Sequence, residues 1–250
     1  MKIKPTLMYG AVTMLLSGLV AGANADQRLG SDLPLIGNAT LAFKLDKAGS
    51  LAAEAGNIRE AKMDYQQALA ACLTDETATL GLARCAVAEG NLTTAITYYR
   101  SAVYGHREDY NIDLLTEYIL VLNQAGQGQE AVSIYNHVVG LCKKGRCVNK
   151  MEIAPQVFRL DGSDYDPIEL QAMTHLMRAM NSSTSDDKRA SSEILSATTF
   201  APTSPLVYFY KGVLLSHLSK DGAAEALQQA RGLDDGSNKK IIDKWIALTK

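Results

Sequence analysis

Two stretches decide the reading: "AGNIREAKMDYQQAL", Ala55 to Leu69, and "EGNLTTAITYYRSAV", Glu89 to Val103. Gly56 and Gly90 lie 34 residues apart, and so do Ala61 and Ala95, Tyr65 and Tyr99, and Ala68 and Ala102. A third copy follows two residues late, with Gly126, Ala131, Tyr135 and Val138. A fixed period of this size is the mark of stacked helical hairpins, because each unit cannot bury its apolar face alone and leans on its neighbours.

The residue types follow from packing. Helices whose axes approach closely tolerate little more than a methyl at the crossing, and a filled interior has no room for excess volume. Gly49 and Ala83 on the first helices are expected to face Ala61 and Ala95 on the second, with Ile119 at the equivalent place of the third copy. Tyr65, Tyr99 and Tyr135 are expected to fill the space between successive hairpins with large apolar faces. Over Ala42 to about His137 the pattern resembles the tetratricopeptide repeat superfamily. That resemblance implies an all-α fold, a right-handed α-α superhelix of stacked hairpins. It also implies a groove, lined by the first helix of each hairpin, that holds an extended peptide or a partner helix. In this register Glu54, Leu80, Arg84, Thr116, Leu120 and Asn123 point into the groove. Members of the superfamily that clamp a C-terminal carboxylate use several Lys, Arg and Asn residues. Here Arg84 is nearly alone, which points to an internal segment of a partner protein.

Downstream the period fades while the helical pattern persists. "DPIELQAMTHLMRAM" opens with Asp166 as a cap and Pro167 at the first helical position, and sets Ile168, Ala172, Met173, Leu176, Met177 and Met180 on one face. "NSSTSDD", Asn181 to Asp187, reads as the best internal boundary. Ser204-Pro205 starts another helix and Asp221-Gly222 separates it from the next, with Ala226 and Ala230 near the small-residue positions. The pair is expected to be a fourth hairpin. Lys239 to Lys250 puts Ile241, Ile242, Trp245 and Leu248 on one side and lysines on the other, as a helix closing the stack requires. The expected organisation is a leader over 1–25, an extension over 26–41, three repeats over 42–140, a disulfide loop and connecting helix over 141–187, and a hairpin with a capping helix over 188–250.

The leader carries Lys2 and Lys4, an apolar run from Met8 to Val20 and the small-residue end "AGANA". These are the three features of a secretory signal, which predicts cleavage after Ala25 and a periplasmic or secreted protein without a membrane span in its mature form. No cysteine follows the apolar run to carry a lipid. Its removal moves the formal charge from -2 to -4 over 225 residues, with no basic face to bind nucleic acid. Export makes thiol pairing possible. Cys142 and Cys147 enclose "KKGR" and are expected to form a local disulfide, whereas the sequence leaves open whether Cys72 and Cys85 bridge.

No catalytic constellation is expected. The four histidines, His106, His137, His175 and His217, are scattered, without His-Glu-x-x-His or Cys-x-x-Cys, so no metal is expected. No Gly-x-Ser-x-Gly marks a nucleophile. "GLCKKGRC" copies the glycine spacing of a phosphate loop but puts Arg146 and Cys147 where Lys and Ser or Thr are needed. "RLDGSDYDP" alternates acids without the Gly and Glu of a calcium loop. Lys143, Lys144, Arg146 and Lys150 read as a solvated loop or a docking knob for an acidic partner. Neither a cofactor nor a small-molecule substrate is evident. The sequence thus favours a non-enzymatic scaffold binding a partner polypeptide, by analogy in assembly of an envelope machine such as a pilus or secretion system. Two alternatives stand beside it: an enzyme or cell-wall synthesis factor with a site in 151–187, and a structural subunit that uses the convex face or the ends. The Asn-x-Ser/Thr triplets at Asn38, Asn91 and Asn181 would matter only in a eukaryotic host, and Asn91 sits where a tight turn is expected.

Overall fold

The computed structural model describes residues 38–105, 111–143, 166–182 and 187–249. The signal segment, Cys147 and the acidic run before Asp166 lie outside the described residues. Eleven helices occur among the described residues: α1 (Ala39–Glu54), α2 (Ile58–Ala71), α3 (Glu76–Ala88), α4 (Leu92–Gly105), α5 (Ile112–Gln124), α6 (Gly128–Lys143), α7 (Pro167–Asn181), α8 (Asp187–Phe200), α9 (Pro205–His217), α10 (Ala223–Leu233) and α11 (Lys239–Leu248). No strand occurs among these residues, and no helix is long and apolar enough to cross a membrane.

The Gly-Asn pairs of the quoted stretches are helix stops. Gly56, Gly90 and Gly126 adopt φ of 79°, 73° and 74°, a left-handed conformation that costs a side-chain-bearing residue energy and glycine none. At each turn the next amide reaches back to the third-last residue of the finished helix: Asn57 N–H to the Ala52 carbonyl at 2.8 Å, Asn91 to Ala86 at 2.8 Å and Gln127 to Leu122 at 2.9 Å. The glycine amides donate to Ala53, Val87 and Asn123. This double bond pattern satisfies carbonyls that a helix end leaves bare. Asn91 then turns its own side chain to the next helix and accepts from Thr94 N–H at 3.1 Å, the structural role expected of it.

The hairpins are α1 with α2, α3 with α4, α5 with α6, α7 with α8, and α9 with α10, each first helix also resting on the hairpin before it. Two expectations need correction. The helix from Pro167 is not a connector but the first rod of a fourth hairpin, so the Asn181–Asp187 segment joins partners within one unit, and α9 with α10 make the fifth. Ala190, Ile194 and Ala197 are what α8 buries, with Ala201 just past its end, an apolar stripe too small-sided to stand out in the sequence. Within α7 the buried face is Leu170, Ala172, Met173, Leu176, Met177 and Met180, while Ile168, in the first turn, is 54% exposed. Helix α11 covers the last hairpin with Ile242 buried and Trp245 edge-on to Phe209 at 6.4 Å, but Leu248 points outward. Caps match expectation: Asp166 accepts from Ile168 N–H at 2.8 Å and Ser204 from Val207 N–H at 3.4 Å.

The small residues do their work in a way the sequence only half disclosed. Ala61, Ala95 and Ala131 are completely buried. Gly49 also makes room for an aromatic ring: a Cβ added there would lie 2.9 Å from the Tyr65 ring, and one added at Gly81 would lie 2.5 Å from it. Tyr65 of α2 is thus lodged between α1 and α3, each of which has dropped its side chain to admit the ring. The Tyr65 hydroxyl lies 3.1 Å from Ser50 Oγ. In the next unit Tyr99 stacks on Tyr118 with centroids 5.8 Å apart. Gly212 of α9 admits Leu227 of α10 in the same manner.

Ion pairs lace neighbouring hairpins on their exposed sides: Lys62 with Glu89 at 2.7 Å, Arg84 with Glu117 at 2.9 Å and Arg100 with Glu130 at 2.9 Å. Exposed pairs of this kind add little each, about 0.2–1 kcal/mol. A less comfortable contact joins α1 to α3. Asp46 is buried and its Oδ1 has no hydrogen-bond partner. Burial, the neighbouring Asp75 charge and a hydrogen bond with Asp75 push its carboxyl up to about 6 from 3.8. Both Cys72 and Cys85 are unpaired thiols, Cys85 buried in the first-hairpin core and Cys72 at the end of α2.

Two measurements test these contacts. Gly81→Ala is expected to lower the urea midpoint, because overpacking against Tyr65 costs about 1–3 kcal/mol and outweighs the helix-propensity gain of about 1 kcal/mol. Shrinking the ring in Gly81→Ala/Tyr65→Leu should recover part of that loss in a double-mutant cycle. For Asp46 the folded state holds the proton more tightly than the unfolded chain does. Its contribution is therefore complete below pH ~4 and lost as pH rises through about 6. Asp46→Asn is expected to raise stability at pH 7.5 and to give no such gain at pH 4, read from denaturation midpoints at both pH values.

Candidate functional site

The first helices α3, α5 and α7 border an open hollow of about 290 Å³. Val87, Tyr99, Leu120 and Val121 give it apolar walls, and Arg84, Glu117, Gln124 and Arg178 supply polar groups. Helical spacing places Arg84 and Val87 on one face of α3, and Glu117, Leu120, Val121 and Gln124 on one face of α5. Tyr99 reaches the hollow from α4, below the other two helices, and is itself only 2% exposed.

Glu117 organises the polar side. Its Oε1 accepts from Arg84 Nη2 at 2.9 Å and its Oε2 from Arg84 Nε at 3.0 Å, a two-pronged pairing that fixes the plane of the guanidinium. The Tyr99 hydroxyl donates to the same Oε2 at 3.2 Å. Burial pulls the Arg84 pKa down, but the Glu117 hydrogen bond and charge outweigh it and the net direction is up. Burial and then the Glu117 charge hold the Tyr99 phenol protonated well above its ordinary range. The site therefore presents a fixed guanidinium and a phenol that stays neutral at any physiological pH.

Arg178 brings a second guanidinium from α7. Its Nε donates to Glu193 Oε1 of α8 at 2.7 Å, and the other Glu193 oxygen lies 2.6 Å from His175 Nδ1. Burial alone would raise the Glu193 pKa, yet the His175 hydrogen bond and the Arg178 charge bring it below the usual carboxylate range. The His175 ring stacks on Phe200 at 5.4 Å. This His and carboxylate cluster lies partly in the region where an enzymatic site was the alternative expectation. Its groups are spent on one another, clamping α7 to α8. A second clamp, Asp113 with Arg189 at 2.6 Å, with Asn181 donating to Asp113 at 3.2 Å, ties α5 to the same hairpin. Among the described residues no three His, Cys, Asp or Glu side chains gather to hold a metal ion.

Of the six residues expected in the groove, the structure brings Arg84 and Leu120 together in the hollow. Thr116 is turned inward, completely buried, and its hydroxyl donates to the Asp113 carbonyl at 2.9 Å. A short hydroxyl in a helix prefers its own turn's carbonyl over empty groove space. Asn123 donates to the Pro167 carbonyl at 2.9 Å and so fastens α5 to the start of α7. Leu80 packs half-buried against the main core, and Glu54 is exposed at the end of α1, neither of them lining the hollow. Sequence reasoning missed Glu117, Gln124 and Arg178. Glu117 lies 33 residues beyond Arg84, off the 34- and 36-residue intervals of the repeat, so matching positions by period alone passes over it. Arg178 carried no such signal, because α7 lies past the point where the period fades. Cys142 is half-buried near the end of α6, and Cys147, its expected partner, is outside the described residues.

No family model matches the chain, and no curated relative matches it. Solved structures similar to it include YrrB, described as a TPR protein with an unusual peptide-binding site, at 17% identity and a TM-score of 0.42, covering 81% of this chain and 91% of that one. A tetratricopeptide repeat protein from Parabacteroides merdae is similar at 16% identity and a TM-score of 0.39, covering 85% of each chain. The TPR2AB domain of yeast Sti1 in complex with pHSP90 is similar at 18% identity and a TM-score of 0.38, covering 84% of this chain and 98% of that one. Likenesses this distant say nothing about what the hollow binds; that is decided by this chain's own residues.

The hydroxyl of Tyr135, the third tyrosine of the series, is buried without a hydrogen-bond partner, unlike that of Tyr99. Burial and the nearby Glu169 charge keep it protonated. Tyr135→Phe is therefore expected to leave stability unchanged or raised. Tyr99→Phe removes a bond to a charged partner and is expected to cost about 1.5–3 kcal/mol, both read from urea midpoints.

Proposed function

We propose that this chain is a non-enzymatic scaffold that holds a segment of another polypeptide in the hollow between α3, α5 and α7. The observation that carries the reading is the hollow itself: an apolar floor with a rigidly paired Arg84–Glu117 at its edge, displayed by first helices of consecutive hairpins. At about 290 Å³ it is at the small end of the roughly 300–1,000 Å³ typical of small-molecule clefts, and it is open, which suits side chains of a passing segment better than an enclosed substrate. The leader over residues 1–25 supports export, with a periplasmic site of action and a role in assembling an envelope machine such as a pilus or secretion system. In that compartment Cys142 and Cys147 would be joined, pinning the basic loop after α6.

A second reading, a structural subunit that meets its partners through second helices, is favoured by the exposed Leu195 and Phe200 on α8, 67% and 42% accessible. One experiment separates the two. A photocrosslinking residue is placed at Leu120 or at Leu195 in the full-length protein in bacterial cells, and adducts are compared by mass. The scaffold reading expects an adduct from Leu120 and none from Leu195, carried by protein whose N-terminus is Asp26. Adducts from Leu195 alone would assign function to the second helices, and an unprocessed N-terminus would remove the periplasm from the proposal.

A further inference from the structure

Resting on the reading of the hollow as a polypeptide groove, we propose that it selects a segment with an acidic side chain next to an apolar one, the acid seated between Arg84 and Arg178. What selects the guest is uncommitted bonding capacity. Glu117, the lone carboxylate in the lining, already accepts three hydrogen bonds, two from Arg84 and one from Tyr99, and is only 19% exposed. A guest cation would have to break those bonds to reach it. Arg84 is in the opposite position: a guanidinium has five N–H donors, Glu117 occupies two, and the side chain is 56% exposed. Arg178 is as little exposed as Glu117, at 19%, but it spends only its Nε on Glu193, whose carboxylate is not part of the lining, and so serves as the inner of the two cations.

The lining therefore carries two guanidiniums against one carboxylate, and its unused charged groups are donors. A carboxylate entering from solvent adds bonds charged on both sides without displacing any that exist, whereas an amide carbonyl brings no charge and an ammonium meets only a carboxylate already engaged. Tyr99, Leu120 and Val121 leave apolar surface beside that point, to be covered by the neighbouring side chain of the same segment. Because Arg84 and Arg178 stand on different first helices, an acid bridging them must lie across α5, which sets where along the stack the guest is read.

The test uses a random dodecamer peptide library displayed on phage and panned against the full-length protein. Enriched peptides are synthesised with each Asp or Glu intact or changed to Asn or Gln, and titrated against wild-type protein and Arg84→Gln. The expected result is enrichment of an acid beside an aliphatic or aromatic residue. Affinity should fall about tenfold or more when either the peptide acid or Arg84 is neutralised, and should weaken with added salt. Changing the peptide alone keeps the test valid if Arg84→Gln disturbs the α3–α5 pairing. Peptides enriched in Lys or Arg, or peptides indifferent to acid removal, would overturn the acidic specificity while leaving the groove reading in place. Failure to enrich any peptide would remove both.

Discussion

The stack depends on one steric arrangement: the Tyr65 ring of a second helix inserted between two first helices that have each given up a side chain to receive it. Gly49 and Gly81 are helix-interior glycines, each of which sacrifices about 1 kcal/mol of helix propensity relative to alanine. That loss is offset by burying a large ring that touches both hairpins at once, and by a hydroxyl that finds Ser50 at the rim. The same geometry is solved differently one unit on, where the register that matches Ala83 to Ile119 puts Glu117 in the place of Gly81. There Tyr99 stacks on Tyr118 and turns its hydroxyl to Glu117. The aromatic that spaces the hairpins thereby also becomes a wall of the hollow and a ligand of its organising carboxylate. Packing and recognition share a residue.

From that sharing comes the rigidity of the site. Glu117 is held by Arg84 from the preceding first helix and by Tyr99 from the helix below, and Arg178 by Glu193 from the far side of its own hairpin. Every charged group at the edge of the hollow is positioned by a second charged or polar group on another helix. Such preorganisation reduces the ordering cost a guest must meet, which is the main route by which a shallow site reaches useful affinity.

Much of the fold was legible because one packing problem is solved repeatedly, and repetition makes small residues visible. The turns at Gly56, Gly90 and Gly126 and the buried Ala61, Ala95 and Ala131 could be read from spacing alone. Legibility failed where the solution changed. Helix α8 buries alanines and one isoleucine behind a Ser- and Thr-rich exterior, so its partnership with α7 left no strong periodic signal. Gly49 was read as serving helix contact alone, and that it also makes room for Tyr65 needs the ring's position. For the site, Thr116 and Asn123 were placed by helical angle alone, and angle does not reveal that a hydroxyl turns back on its own helix or that an amide has a carbonyl to fasten. Arg178 was invisible because it converges on Arg84 through space and not through the repeat.

The apolar interior is in two parts. One small cluster holds Ala42, Ala52, Ala61, Tyr65 and Ala68 with Ala78, Leu82 and Cys85, and a far larger one runs from Ala83 to Ile242. Helix α3 alone contributes buried residues to both, so it is the element that joins them. In an array whose units touch only their neighbours, such a helix passes a disturbance from one cluster to the other, and a change at Leu82 or Ala83 is placed to be felt on both sides.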